Sequence, residues 1–406
     1  MTRAWGALLL LCCLAPRASA QIDPERRRLI QLGYDQGTSG PAPAGAYLFY
    51  YINQPHFVRK DLTLRLALAP VYVDGELGVS GKPEDGNGVA FGLAGGGFAD
   101  SYSEIREGHY FKEESFTGHS GTVSMSYFRN LEPNWRLPIN VVARAAAHVA
   151  VYNARSDTRP DFALPPDHGE YSARLGLRIG GVPPELLPAR AAELSFWYVP
   201  YLRDHAGTYG VGGDRRLERI PQLFWTRLRF AYRLPNKSRV DFSMEAGASR
   251  QVDRLSAYRL GGMLPFASEF PLSLPGYYNG ELSAREYSLF TGRYSQPVGL
   301  NKQLRWDLFA AAADVGYMPG LEQPKPWNSG VGSGLIFRTA NEALTVELQA
   351  GHGFNAIRSG RRGADSVALV AQIDLEAWRK RAKPKTRTQL GPSRPLGLWI
   401  GDLFAP

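Results

Sequence analysis

Beyond residue 13 the chain has no cysteine. Cys12 and Cys13 are the only two, and both lie inside an N-terminal stretch (1–20) that reads as a cleaved secretory leader. Arg3 supplies the positive start, Ala7 to Leu14 the short apolar core, and Ala18-Ser19-Ala20 the small-residue cleavage site. The exported chain would then have no disulfide, no thiol nucleophile and no cysteine-held metal. Neither cysteine follows the small residues that lipid attachment needs. From Gln21 onward no apolar run approaches about 18 residues, which excludes helical membrane spans. Apolar residues at helical spacing are almost absent too. Excess charge is confined to one end. Of the formal +9, Arg3 and Arg17 leave with the leader, and residues 379–406 hold seven basic side chains against Asp402, so the body is close to neutral. The high isoelectric point therefore belongs to a tail and not to a nucleic-acid-binding face.

Catalytic and metal-binding constellations are missing as well. The seven histidines (His56, His109, His119, His148, His168, His205, His352) are scattered, with no pair at ligand spacing. His148 shares the polar face of its strand with Arg144, the wrong parity for a lipid-facing Ser/His pair. Gly95-Gly96-Gly97 follows a strand, but no helix opens behind it as a phosphate loop requires, so close backbone approach is expected there. The sequence calls for no cofactor, no metal and no enzyme site.

Present instead is one signal, repeated. Leu62, Leu64, Leu66 and Leu68 alternate with Thr63, Arg65 and Ala67; Tyr171 to Ile179, Leu228 to Tyr232, Leu344 to Ala350 and Val367 to Leu375 alternate likewise. Period-two alternation gives a strand one oily and one polar face. A soluble sandwich would bury the oily face, whereas a membrane barrel turns it to lipid. Aromatic residues make up 12% of the chain and there are 44 glycines, and shorter turns (235–238, 340–343) alternate with longer ones (99–117, 154–168, 202–221, 251–280, 318–327). Both features favour the barrel. The expectation is an all-β, transmembrane, antiparallel up-and-down β-barrel of about fourteen strands, range twelve to sixteen, over residues 44–378. Tyr47, Tyr152, Trp197, Trp225, Tyr317, Trp327 and Trp378 are expected in interfacial belts. Residues 21–43 read as a short periplasmic arm with one helical turn at Leu29 to Leu32, and 379–406 as a basic, then apolar, tail.

The stretch from Val240 to Phe290 departs from the hairpin rule. A strand runs into Tyr258-Arg259-Leu260-Gly261-Gly262, then a Pro/Gly-punctuated loop ends at Pro275-Gly276-Tyr277-Tyr278 before the next strand. Connections this long are usually functional. With Gly330 to Thr339, Leu344 to Leu348 and the closing strand Ser366 to Leu375, this stretch resembles the C-terminal part of BamA/TamA-type bacterial surface antigen (D15-like) outer-membrane barrels, over about a third of the chain. In that superfamily an Arg-Gly-Tyr or Arg-Gly-Phe tip follows the Tyr-Arg-Leu-Gly-Gly segment; here Pro275 stands in place of the arginine. The resemblance implies a long loop folded toward the lumen and fastened there by Arg259, with Asp314 and Glu347 as acidic partners. It also implies residence in the bacterial outer membrane, insertion by the barrel-assembly machinery, outer-membrane lipid as a partner, and a structural role or one in moving protein or lipid across that membrane. The arm is too short for the periplasmic domains of assembly-type barrels, which speaks against full assembly activity.

Charges on the polar faces mark the lumen: Arg65, Arg144, Arg174, Arg178, Arg227, Arg229 and Arg233, with Glu193, Asp241, Glu245, Asp307, Glu347 and Asp374. They support two readings: an arginine ladder lining a passive, porin-like channel with anion bias, or a salt-bridged lumen without transport. The tail is either disordered or engages a periplasmic partner, anionic headgroups or the lumen.

Overall fold

The computed structural model describes residues 25–80, 87–132, 138–182, 186–265, 270–299 and 303–382. The leader and the tail beyond 382 lie outside the described residues.

Sixteen antiparallel strands close on themselves. They are β1 (Arg27–Gly37), β2 (Gly45–Pro55), β3 (Leu62–Leu68), β4 (Tyr72–Val79), β5 (Gly88–Gly96), β6 (His109–Asn130), β7 (Ile139–Ala154) and β8 (His168–Gly181), followed by β9 (Arg190–Arg203), β10 (Gln222–Arg233), β11 (Arg239–Arg250), β12 (Leu282–Val298), β13 (Leu304–Tyr317), β14 (Trp327–Arg338), β15 (Leu344–Arg358) and β16 (Arg361–Asp374). Each pairs with its neighbour in sequence, and β1 closes the ring against β16 through nine residue pairs, from Leu29↔Asp374 to Gly37↔Ser366. Among the described residues, closure leaves the ring itself without an edge.

The expected fourteen strands are thus sixteen. Arg27–Gly37, read from sequence as part of an arm with a helical turn, is a full stave. Its alternation is real: Ile30, Leu32 and Tyr34 are exposed on the outer wall while Gln31 and Asp35 are buried inside. At the other end Trp378, expected in an interfacial belt, is not in a strand. It sits in α1 (Leu375–Ala382), whose N-terminus is capped by Asp374 Oδ1, accepting from the N–H of Glu376 at 2.9 Å and of Ala377 at 3.0 Å. Glu376 ties the helix to the foot of the first stave through Arg26 and Arg28, at 3.1 and 3.6 Å.

Parity holds around the ring. Phe91, Leu93, Val123, Met125, Leu175, Phe196, Leu228, Phe242, Leu308, Val331, Leu335, Leu348 and Val367 are exposed on the outer wall. Asn53, Thr63, Ser126, Asn140, Glu193, Ser195, Glu245, Asp307 and Glu347 are buried within. Exposed outward aromatics stand toward both ends, with Tyr171, Trp327 and Phe354 toward the long loops and Tyr127 and Trp306 toward the short turns. Of the residues expected in these belts from sequence, Trp327 stands there. Tyr152, Trp197 and Trp225 instead share the inward parity of their strands, with Trp197 and Tyr152 buried at 5% and 8% exposure. Gly95 and Gly96, at φ +154° and +156°, bend the end of β5 where a Cβ would overlap the backbone of Ser120 and Val71, the close approach expected of the triple glycine.

The long-loop end is roofed. Tyr102–Arg106 pairs back on the start of β6 through a two-residue turn, Glu107-Gly108, with positive φ at both positions (48° and 71°), as a type I′ hairpin requires. This hairpin leans across the mouth until Gly108 meets the carbonyl of Ile357 at the far end of β15, leaving no room for a Cβ. Phe162–Ala163, Gly207–Val211 and Arg215–Leu217 form a small separate sheet beside it. An aromatic cluster of Tyr102, Phe116, Tyr152, Phe162 and Tyr209 seals the two together.

A loop that bridges the lumen

Between β11 and β12 the chain turns into the barrel. Tyr258–Leu260 first adds a short strand to β12. Gly261, at φ +131°, and Gly262, at +76°, then let the backbone fold on itself: Gly261 N–H donates to Leu272 O at 2.9 Å and Leu274 N–H to Gly262 O at 2.9 Å. Leu260, Leu272, Leu274 and Tyr277 bury themselves against Leu282, Tyr287, Leu289, Ala311 and Ala313 of the inner wall. The loop therefore has an apolar core inside the barrel, which a solvated surface loop lacks.

Three contacts fix it across the lumen. On the β1 side, Asp35 Oδ2 accepts the backbone N–H of Met263 at 2.5 Å. On the β14–β16 side the tip Pro275-Gly276-Tyr277 lies on a glycine track: Gly330 and Gly351 face Pro275, and Gly353 faces Tyr277, each too close for a Cβ. Gly276 N–H donates to Ser366 Oγ at 3.0 Å and Tyr277 Oη to Asn328 Oδ1 at 3.2 Å. On the β9–β10 side Phe270 packs on Trp197 and Trp225, with ring centroids 5.4 and 5.5 Å apart. In a ring of sixteen staves β1 and β9 stand opposite each other, so the loop reaches from wall to wall.

The foot of the loop is clamped. Arg358, at the end of β15, donates to both carboxylate oxygens of Glu281 at 2.9 and 2.8 Å, and its guanidinium lies 3.4 Å from the centre of the Tyr278 ring. Tyr278 Oη donates to Ser39 O at 2.5 Å. Arg259 does not reach Asp314 or Glu347. It donates to Ser283 Oγ at 2.9 Å and to Ser103 O of the roofing hairpin at 3.0 Å. Asp314 has the outward parity of its strand, and Glu347 is taken by Arg293. The loop is thus fastened to the roof by Arg259 and to the wall by Arg358.

The roof is held by its own buried ions. Arg215 bridges Glu104 and Glu114, Arg254 reaches Glu104, and Arg203 joins Glu170 to Asp253. Tyr102, buried and donating to Glu104 at 2.7 Å, has its phenol pushed up to about 12 by burial and by that carboxylate.

Below the loop the arginines are answered by acids. Arg65 meets Asp74 at 3.3 Å and Glu76 at 2.9 Å, and Arg144 reaches the same Glu76 at 2.9 Å. Arg178 and Arg227 hold Glu193, at 3.6 and 2.7 Å. Arg229 and Arg239 share Asp241, while Arg293 joins Asp307 to Glu347. Glu245 lies opposite Arg227 in the β10–β11 register, Arg174 stands over Trp225 at 5.9 Å, and Arg233 ends β10 exposed at the short-turn rim. Sequence reasoning missed Asp35, Glu281, Asn328, Arg358 and Ser366, which receive or clamp the loop. The available signal was the run of glycines on the inward parity of β14 and β15.

Solved structures of CdiB and BamA share this fold. CdiB from Acinetobacter baumannii superposes with a TM-score of 0.59 at 10% identity, over 86% of this chain and 60% of that one. CdiB from Escherichia coli gives 0.55 at 11% identity, over 86% and 63%. BamA from Haemophilus ducreyi lacking POTRA domains 1-3 gives 0.53 at 11% identity, over 85% and 71%. The chain thus spans about three fifths of the length of the CdiB structures. No protein-family model and no curated protein matches the sequence. The likeness read from the inward loop and the closing strands is met at the level of architecture: the chain has the sixteen-stranded barrel fold of BamA and CdiB.

Proposed function

We propose that the chain is a bacterial outer-membrane barrel held shut at rest by its own inward loop, working in the movement of protein or lipid across that membrane and not as a standing pore. The long-loop end faces outward and both termini face the periplasm; outer-membrane lipid covers the oily wall, and the barrel-assembly machinery inserts it. The observation that carries this is the wall-to-wall loop, fixed at Asp35, Ser366 and Trp197 beneath a closed roof. A passive channel needs a continuous wet path, and an anion filter needs cations in excess. Here seven luminal arginines, Arg65, Arg144, Arg178, Arg227, Arg229, Arg239 and Arg293, are held by carboxylates.

Single-channel recording in planar bilayers tests the proposal. The intact chain should give a closed or briefly flickering trace, and deletion of residues 266–277 should give a large, lasting conductance. A steady anion-biased current from the intact protein would favour the porin reading instead.

A further inference from the structure

Apart from the luminal bridge, a polar cavity of about 300 Å³ lies between the inner wall of β7–β9 and the segments 99–102 and 255–256. That volume is at the small end for ligand sites. Its walls are set before any ligand arrives. His148 Nε2 holds Asp100 at 2.9 Å and its Nδ1 meets Thr122 Oγ1 at 2.8 Å. Arg203 Nε donates to Glu170 at 2.8 Å. Asp100, His148 and Glu170 nonetheless keep 30%, 22% and 13% of their side-chain surface uncovered, and Tyr152 and Tyr201 complete the lining.

This chemistry narrows the occupant. An apolar molecule would strip water from carboxylates and imidazole without replacing their hydrogen bonds. An inorganic anion finds Arg203 spent on Glu170, Glu218 O and Asp253, His148 held by Asp100, and His168 turned by one nitrogen to Pro166 O. Among the described residues no three side chains are grouped to hold a metal ion. A molecule that donates and accepts from many points and offers a flat apolar face to a phenol ring satisfies all of these groups at once. We propose that this cavity binds a single sugar ring, with Asp100 and Glu170 accepting from its hydroxyls and Tyr152 or Tyr201 against its face. A free monosaccharide and the terminal residue of a surface glycan share that chemistry.

The test uses the full chain in an amine-oxide detergent, which has no sugar headgroup. Saturation-transfer NMR is run with glucose, galactose, mannose, glucosamine and N-acetylglucosamine, each up to about 10 mM, the weak end of specific binding. At least one should receive saturation, and Glu170→Gln should weaken it tenfold or more. Because that change also touches Arg203, Ala99→Leu fills the cavity and leaves both ion pairs alone; it should abolish the signal while heat-modifiable gel mobility stays normal. Glu286→Gln, outside the cavity, should change nothing. A terminal disaccharide competing with the free sugar would assign the site to a glycan end, and failure to compete would assign it to free sugar. No transfer to any sugar, or equal transfer in the Ala99→Leu protein, overturns the proposal. None of these results depends on conductance.

Discussion

Arg358 and Glu281, 77 positions apart, meet through two parallel hydrogen bonds with 5% and 0% of their side chains exposed. One belongs to the wall and the other to the foot of the luminal loop. Removing one partner of such a buried pair strands the other charge, at about 3–5 kcal/mol. Arg358→Ala should therefore lower the temperature of the heat-modifiable transition and lengthen channel openings. Arg358→Met with Glu281→Leu should recover much of the stability. Wild-type behaviour of the single variant in both assays would mean that the pair does not clamp the loop.

The position of the loop tip can be read covalently. An ideal Cβ on Gly351 falls 2.8 Å from Pro275 Cβ, so the tip need draw back only about 1 Å to reach the roughly 3.5–4.5 Å between the Cβ atoms of a disulfide, and the chain has no other cysteine after Cys13. Pro275→Cys with Gly351→Cys should cross-link on mild oxidation and show a reductant-sensitive shift on denaturing gels. Persistent free thiols under oxidant would place the tip elsewhere.

Lipid contact is tested from the outer wall. Val331 is 41% exposed and lies on β14 between the outward aromatics Trp327 and Phe337. An arginine near the midplane of a barrel wall costs about 2–4 kcal/mol in a bilayer. Val331→Arg should lose that much in reversible folding into liposomes. A loss within the scatter of ordinary surface changes would remove the membrane reading.

Arg293 supplies the charge for two acids at once, Asp307 and Glu347, whose side chains are 0% and 2% exposed. Arg293→Ala should cost about 3–5 kcal/mol in denaturant unfolding, because two like charges then face each other unpaired. Arg293→Lys should rescue only in part, for an ammonium lacks the planar fork. Adding Asp307→Asn and Glu347→Gln to the alanine variant should restore most of the loss. If Arg293→Ala unfolds like the parent, the network is not structural.

Alternation revealed most of the strands, because a strand's faces are set two residues at a time, and the alternation of short and long turns then favoured a barrel over a sandwich. Trp197 could have been placed correctly in the same way, since it shares parity with Glu193 and Ser195, both buried in the lumen. Its bulk suggested a girdle and obscured that parity. The first stave was harder to see: Arg26-Arg27-Arg28 and Gly33 dilute an alternation that only Ile30, Leu32 and Tyr34 sustain. Contacts between distant parts of the chain were out of reach. Asp35 meets Met263 across 228 positions, and nothing local to either residue announces it. Arg259 could be identified as a fastener, but its partners include a backbone carbonyl of the roof, an acceptor that any residue type could provide.

The ring has one joint that synthesis order makes late. The stave Arg27–Gly37 finds its second neighbour only in Arg361–Asp374, more than three hundred positions downstream. Until that neighbour is in place, one flank of the growing sheet offers unsatisfied amides and carbonyls to any passing strand. Shelter during transit is therefore a physical requirement of this topology, and losing even the final stave would leave two raw borders where the finished wall has none.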